Sequence, residues 1–222
     1  MHKISIITAT LNRQSLIHSC ESINNQTFTD WHHYVLGDGL LPNDYAHPNR
    51  TTIGFTRPIG AEEPSADMSE GTPNPIYRWA LNHLELGDFV CFLDDDNAYF
   101  PFFLQEMLYA LTNCDSGIAI CMLEDMRFRK GNPSLYRKDE DTMGPPLDGY
   151  PECGRCDNSG FLTYSHIAKS IGFPRATPCI DAVQDYQLIR TIAGKHGWIR
   201  VPKKLVLYGS GQNTPPPMNR TL

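Results

Sequence analysis

The run FVCFLDDDNAYFP, from Phe89 to Pro101, constrains the fold more than any other stretch of the chain. Phe89 to Leu93 is too short an apolar run for a stable helix and carries β-favouring types, so it reads as a buried strand. Three carboxylates follow at once, Asp94, Asp95 and Asp96. Open α/β sheets bind ligands at the carboxyl ends of their strands. Like charges this close repel one another unless a hard cation is held among their oxygens. Side chains alternate along extended backbone, so Asp94 and Asp96 face one pocket while Asp95 points away or adjusts the turn. The triplet reads as a metal–diphosphate site, and the plain alternative is a solvated acidic turn.

At 222 residues the chain suits one domain, or two tightly fused halves, with a sizeable core. A formal net charge of −6 and the lack of any Lys/Arg run exclude a nucleic-acid footprint, so a bound nucleotide needs a metal ion to offset its charge. No stretch has the length of a membrane span. The opening MHKISIITATL meets Asn12 and Arg13 without a small-residue cleavage pattern, and so reads as a strand and not as a signal peptide. Of seven cysteines, Cys91, Cys114, Cys121 and Cys179 lie in or near apolar stretches, which is core usage in a reducing, cytoplasmic setting. Cys153 and Cys156 form a lone CxxC. Cys179 and His166 stand at no recognised zinc spacing from it, so a loop-packing role is expected.

Taken in order, KISIITAT (Lys3 to Thr10) is a strand, LNRQS a loop, and Leu16, Ile17, Cys20 and Ile23 mark a helix. WHHYVL (Trp31 to Leu36) is a second strand that runs into Gly37, Asp38 and Gly39, a tight turn that exposes the carboxylate or is simply turn-forming. Thr51 to Phe55 is a third strand. Thr56 to Pro75, rich in Pro and Gly, has the length of a binding loop. Pro75 opens a helix through Leu86 that carries Arg78, a residue suited to phosphate or carboxylate and equally to solvent. Pro101 opens another helix with Leu104, Met107, Leu108 and Leu111 as its stripe, and Gly117 to Leu123 is a further strand.

The second half is less regular. Met126 to Arg137 reads as a hairpin, Asp139 to Asp157 as a loop, and Asn158 to Gly160 as a turn before a helix that ends at Gly172. DAVQ (Asp181 to Gln184) has the pattern of a capping box and starts a helix to about His196, with Asp185 in its first turn. Trp198 to Val201 and Leu205 to Tyr208 read as two closing strands, and GSGQNTPPPMNRTL as a tail. Strand and helix alternate, which predicts an α/β fold: a mixed, mostly parallel sheet with helices on both faces. Neither a GxGxxG fingerprint nor a P-loop is present, which excludes the usual dehydrogenase and P-loop kinase patterns.

Five motifs in this order resemble the family 2 glycosyltransferases of the GT-A fold, which are inverting and carry a DxD motif. SIITATLNR resembles the family's opening strand and nucleotide loop, and LGDG its second-strand Asp. The spacing from Arg78 through Gly87 to FLDDDN resembles the helix-then-DxD segment. NSGFLTYSHIAKSIGF resembles the acceptor-side strand and helix, and VQDYQLIR followed by GWIRVPKKLVLY the segment holding the catalytic base. The resemblance covers roughly residues 3 to 208. It implies one GT-A domain over 1–208, with a nucleotide-sugar-binding half (1–100), an acceptor-binding half (101–208) and a tail (209–222). Leu11 stands where the family often has an aromatic residue against the base, Gln184-Asp185 where it has Glu-Asp, and Tyr208 to Asn213 offers no match for a His that some members carry.

Carried over residue by residue, the resemblance implies Asp96 as the likelier direct metal ligand, Asp94 as a second acidic member nearer the ribose, and Asp38 as acceptor of the base N–H. Thr8, Ala9, Thr10, Asn12, Arg13, Arg78 and Asp95 border the nucleotide-sugar; Asn158, Ser159, Gly160 and Gln184 lie on the acceptor side; Asp185 is the general base. The implied cofactor is a divalent cation, Mn²⁺ or Mg²⁺. The implied partners are a nucleoside-diphosphate sugar, UDP-sugar by default, and a glycan or other hydroxyl acceptor, with no nucleic acid and no transmembrane segment. A homodimer is compatible with this reading and oligomeric state stays open. Three rivals remain: a metal-dependent nucleotidyltransferase, a phosphatase that starts from an acidic pair, and a non-catalytic sugar-nucleotide binder.

Overall fold

The computed structural model describes residues 2–43, 45–59, 74–125, 142–143, 151, 156–174 and 184–209, with the side chains of residues 125, 142, 143, 184 and 185 outside that description. Strand β1 (Ile4–Thr10) is buried along its length, and its period of two feeds two separate cores. Ile4 and Ile6 enter one, Ile7 and Ala9 the other. Strand β4 (Phe89–Phe92) divides in the same way, with Phe89 and Cys91 against Val90 and Phe92. So does β6 (Ile118–Asp125), with Ala119 and Cys121 against Ile118 and Ile120.

A sheet that is apolar on both faces must be covered on both. Helix α2 (Asn74–His83) covers one face with Tyr77 and Ala80, α4 (Ser165–Ile171) with Ile167, and α5 (Gln184–His196) with Leu188 and Ile192. Helix α3 (Phe103–Thr112) covers the other with Phe103, Leu104, Met107 and Leu111, helped by Ile23 near the end of α1 (Leu16–Asn24). At about 25 cal/mol per Å² of apolar surface removed from water, these two layers are the main stabilising term.

The strand order is β3 (Arg50–Gly54), β2 (Trp31–Gly37), β1, β4, β8 (Phe161–Tyr164), β6, β9 (Trp198–Tyr208), β5 (Ala98–Tyr99), with β7 (Thr142–Met143) pairing off β6. The ladders β3/β2, β2/β1, β1/β4 and β6/β9 are parallel and carry the longer registers; those of β8, β5 and β7 are antiparallel and short. The sheet is therefore mixed and mostly parallel, with helices on both faces. Register brings Thr10 beside Gly37 and Ile7 beside Phe92, so the carboxyl ends of β1, β2 and β4 lie along one edge. That edge is where a parallel sheet presents ligand-binding loops.

Several expectations are corrected. The two closing strands are a single strand, β9. Its register against β6 jumps from Cys121↔Val201 to Met122↔Lys204, so Pro202 and Lys203 sit in a bulge and the missing Pro N–H breaks no ladder bond. The helix opened by Pro75 ends at His83, short of Leu86. A two-residue strand, β7, interrupts the loop expected over 139–157, whereas β8, between the Asn158–Gly160 turn and α4, is the strand that the resemblance implied. Cys114 is exposed, whereas Cys20, Cys91, Cys121 and Cys156 are buried. The hairpin at 126–137, most of the loop at 56–75, Cys153, Cys179, the Asp181 cap and the tail from 210 onward lie outside the described residues. Among the described residues no helix is long and apolar enough to cross a membrane.

Candidate functional site

The acidic triplet leaves β4 at the edge where β1 and β2 also end, and its three carboxylates take different surroundings. Asp95 is buried. Its Oδ2 accepts the Thr10 hydroxyl at 2.6 Å and its Oδ1 faces Arg13 Nη1 at 3.4 Å. The residue expected to point away or adjust the turn is thus tied to the end of β1. Burial raises the Asp95 pKa, and the Thr10 bond and the Arg13 charge pull it back.

The triplet is a turn and not the extended backbone expected, closed by Asn97 N donating to Asp94 O at 3.1 Å. Asp94 Oδ1 accepts the phenolic hydrogen of Tyr77 at 2.9 Å. Burial holds its carboxyl well above the usual carboxylate range, the nearby charges of Asp157, Asp96 and Asp95 push the same way, and the Tyr77 bond opposes them. Asp96 has a side chain 41% exposed, with Oδ2 at 3.9 Å from Arg13 Nη1.

The neighbouring loops lean on the same edge. Asn12 adopts φ +62°, a left-handed conformation that Asn tolerates. Its N–H donates to Thr10 Oγ1 at 2.8 Å, and its Oδ1 accepts from Asn43 N at 2.9 Å. Thr8 and Ala9 place their side chains inside. Thr8 is fully buried with its hydroxyl 3.0 Å from His33 Nε2, and Ala9 belongs to the core under α2. The carboxylate of Asp38, expected to be exposed by its flanking glycines, is 8% exposed. Its Oδ1 accepts from Ile59 N at 2.6 Å, while Gly39 at φ +71° passes so close to Pro58 that an added Cβ would stand 2.8 Å from that ring. Arg78 donates from Nε to Phe173 O at 3.0 Å and from Nη2 to Pro174 O at 2.8 Å, so two of its donors tie α2 to the segment after α4.

The segment Asn158–Gly160, expected on the acceptor side, is a 3₁₀ turn capped by Asp157, which accepts from Ser159 N at 2.9 Å. It touches the acidic turn directly, because Asp94 N donates to Ser159 Oγ at 3.2 Å. Gln184 and Asp185 are the first two residues of α5. Three residues that reading the sequence missed belong to this centre: Tyr77, Asn97 and Asp157. Nothing in local pattern distinguishes them, since Tyr77 falls in an ordinary helical stripe and Asp157 and Asn97 are ordinary turn types.

The donor set fits a hard divalent ion. Among the described residues no three of His, Cys, Asp or Glu form a ready-made metal cluster. Two carboxylates, Asp94 and Asp96, repel each other at the site mouth, and Mg²⁺-like ions are commonly bound by one or two carboxylates plus substrate phosphates.

No family model matches the chain, and no curated protein matches it either. Solved structures do. S. aureus TarS 1–349 superposes with a TM-score of 0.63 at 15% identity, over 92% of this chain and 60% of that one. The same fragment in complex with UDP-GlcNAc gives 0.61 at 16% identity, over 92% and 58%. The mannosyltransferase PcManGT from Pyrobaculum calidifontis, in complex with GDP-Man and Mn²⁺, gives 0.59 at 14% identity, over 93% and 56%. This chain thus spans about 60% of the TarS fragment's length. What is shared at such low identity is the fold: the mixed, mostly parallel sheet with helices on both faces is the GT-A arrangement.

Proposed function

We propose that the protein is a metal-dependent, inverting glycosyltransferase of the family 2 type. It would move a sugar from a nucleoside-diphosphate sugar, UDP-sugar by default, to a hydroxyl of a glycan or glycoconjugate. The observation that carries this reading is the junction of Asp94–Asp96 with Thr10, Arg13 and the Asp157–Gly160 turn at one carboxyl edge of a GT-A sheet. The donors named for the structural neighbours, UDP-GlcNAc for TarS and GDP-Man with Mn²⁺ for PcManGT, support a nucleoside-diphosphate sugar.

In this reading Asp94 and Asp96 hold Mn²⁺ or Mg²⁺, which when bound stabilises the charge that develops on the departing diphosphate. Asp38, fixed beside Thr10 through its backbone N–H, accepts the base N–H. Thr10, Asn12 and Arg13 border the nucleotide, with Arg13 close enough to the acidic turn to meet phosphate oxygens. Asn158, Ser159, Gly160 and Gln184 line the acceptor side.

The acceptor hydroxyl has a pKa far above neutrality, so a carboxylate must take its proton as the new bond forms. Asp185 is assigned that role. The acceptor oxygen attacks the anomeric carbon, the bond from that carbon to the diphosphate oxygen breaks, its electron pair leaves with the diphosphate, and the proton passes to Asp185. A single displacement inverts the anomeric centre, through an oxocarbenium-like transition state.

The test is a thermal-shift and calorimetric screen of UDP, GDP, dTDP and CDP, each with Mn²⁺, with Mg²⁺ and with chelator. A ligand that binds only the native state raises the unfolding midpoint according to its affinity. One nucleotide should stabilise the protein only when metal is present, and Asp96→Ala should abolish the effect. If no nucleotide does so, the reading fails.

A further inference from the structure

Asn97 ends the acidic turn and is 1% exposed. Its side-chain amide binds two separate segments, the Asp157–Gly160 turn and the chain just past β9. Nδ2 donates to Ser159 Oγ at 2.7 Å and to Asp157 Oδ1 at 3.4 Å, while Oδ1 accepts from Gly209 N, just past β9, at 2.8 Å. The partners are themselves shared: Ser159 Oγ also accepts from Asp94 N at 3.2 Å, and Asp157 Oδ1 from Ser159 N at 2.9 Å. The main chain joins in, since Asn97 N donates to Asp94 O at 3.1 Å, and Ser19 Oγ from α1 donates to Asn97 O at 2.7 Å.

Holding two turns together does not require a charge. Here the clamp contains the carboxylate of Asp157, itself buried, beside that of Asp94. Two like charges brought together in a partly dry place destabilise the empty site and favour a cation in it. The same clamp fixes the Asp94 backbone through Ser159, so the direction of the Asp94 carboxylate follows from it. Groups that orient ligating side chains in this way typically alter metal affinity about 10- to 100-fold when removed.

We propose that Asn97 and Asp157 are a positioning pair for the donor site. They do not ligate metal, and by locking the acidic turn to the acceptor-side turn they set the affinity for the metal–diphosphate group. This inference rests on the glycosyltransferase reading given above.

The pair can be exchanged. In Asn97→Asp combined with Asp157→Asn, net charge is unchanged and each side-chain bond named above between the two turns and Gly209 has a counterpart. The carboxylate at 97 accepts from Gly209 N, from the Ser159 hydroxyl and from the amide at 157, whose oxygen still accepts from Ser159 N. The experiment titrates Mn²⁺ into the full metal-free chain by calorimetry, alone and with UDP, beside thermal midpoints for each variant. Asn97→Ala and Asp157→Asn should each weaken Mn²⁺ about tenfold or more. Asn97→Asp alone should be worse than the double exchange, which should recover most of the wild-type affinity.

Unchanged Mn²⁺ affinity in Asn97→Ala or Asp157→Asn would overturn the proposal, as would a double exchange no better than Asn97→Asp. If Asn97→Ala does not fold, Asp157→Asn and the double exchange carry the comparison. Failure of the wild-type chain to bind Mn²⁺ at all, with or without UDP, would instead remove the metal–diphosphate reading and this proposal together.

Discussion

Tyr77, wholly buried in α2 between the rings of Phe92 and Phe173, donates its hydroxyl to Asp94 at 2.9 Å. The bond opposes the burial and the neighbouring charges that push the Asp94 pKa up. In the proposed donor site Asp94 is a metal ligand and must be deprotonated, so metal affinity should fall as pH drops through that raised value. Tyr77→Phe keeps the ring contacts and removes the bond. The Asp94 pKa should rise further, and the pH at which Mn²⁺ affinity is half-maximal should move upward, with affinity at pH 7 lower by about tenfold. Calorimetric titrations between pH 5.5 and 8 check this; superimposable profiles would show that the hydroxyl does not serve Asp94.

The Thr10 hydroxyl holds two partners, donating to the buried Asp95 Oδ2 at 2.6 Å and accepting from the half-buried Asn12 N at 2.8 Å. Thr10→Val preserves shape and removes both bonds. A hydrogen bond of this kind contributes about 0.5–1.5 kcal/mol. The variant should lose stability on that scale in urea unfolding and Thr10→Ser should regain most of it. Equal midpoints for Val and wild type would mean that the Thr10 hydroxyl adds nothing to what Arg13 already gives Asp95.

His33 is buried, and Arg50 Nε donates to its Nδ1 at 2.9 Å, so the ring is neutral with its hydrogen on Nε2 facing Thr8 Oγ1 at 3.0 Å. Burial lowers its pKa well below the usual imidazole value, and the charges of Arg50, His32 and His47 lower it further. The sign follows directly. Below about pH 6.5 the unfolded chain binds a proton that the folded chain refuses, so stability falls as pH drops, by up to about 1.4 kcal/mol per pH unit for this one group. His33→Gln should flatten the dependence of unfolding free energy on pH between about 5 and 6.5. An unaltered slope would place the proton elsewhere.

Much of the architecture was legible because it is written in side-chain periodicity. The apolar runs of β1, β4 and β6 are buried on both faces, and only strands between two helical layers have that pattern. β9 was misread because Pro202, Lys203 and Lys204 look like a break; in the sheet a bulge absorbs them, a solution that depends on the partner strand β6. At the site, Asp94 to Asp96 announced themselves by local density of charge. Tyr77, Asn97 and Asp157 did not, because each matters through partners 17 to 112 residues away. Asp38 shows the converse: its glycine flanks suggested exposure, yet the chain returns at Ile59 and covers it.

Asp185 lies in the first turn of α5, which packs on the sheet through Leu188, Ile189 and Ile192. As the proposed base it is needed for proton removal and not for donor binding. Asp185→Asn should lower transfer by about 10²–10⁴-fold and leave nucleotide–Mn²⁺ affinity within error. Loss of binding would assign it to the donor site, and full transfer by the variant would remove it from the mechanism.

The bonds that build the acidic centre span long stretches of chain: 85 residues between Thr10 and Asp95, 62 between Asn97 and Ser159, 112 between Asn97 and Gly209. Contacts of such separation close late, since loop entropy must be lost before they form. During synthesis, β1, β2 and β4 can pair while the residues after 100 are still being made, but Asn97 meets Gly209 only when residue 209 has emerged. The centre is therefore assembled in stages: Thr10–Asp95 and Tyr77–Asp94 have both partners made before residue 100, and the Asn97–Gly209 bond closes over them afterwards.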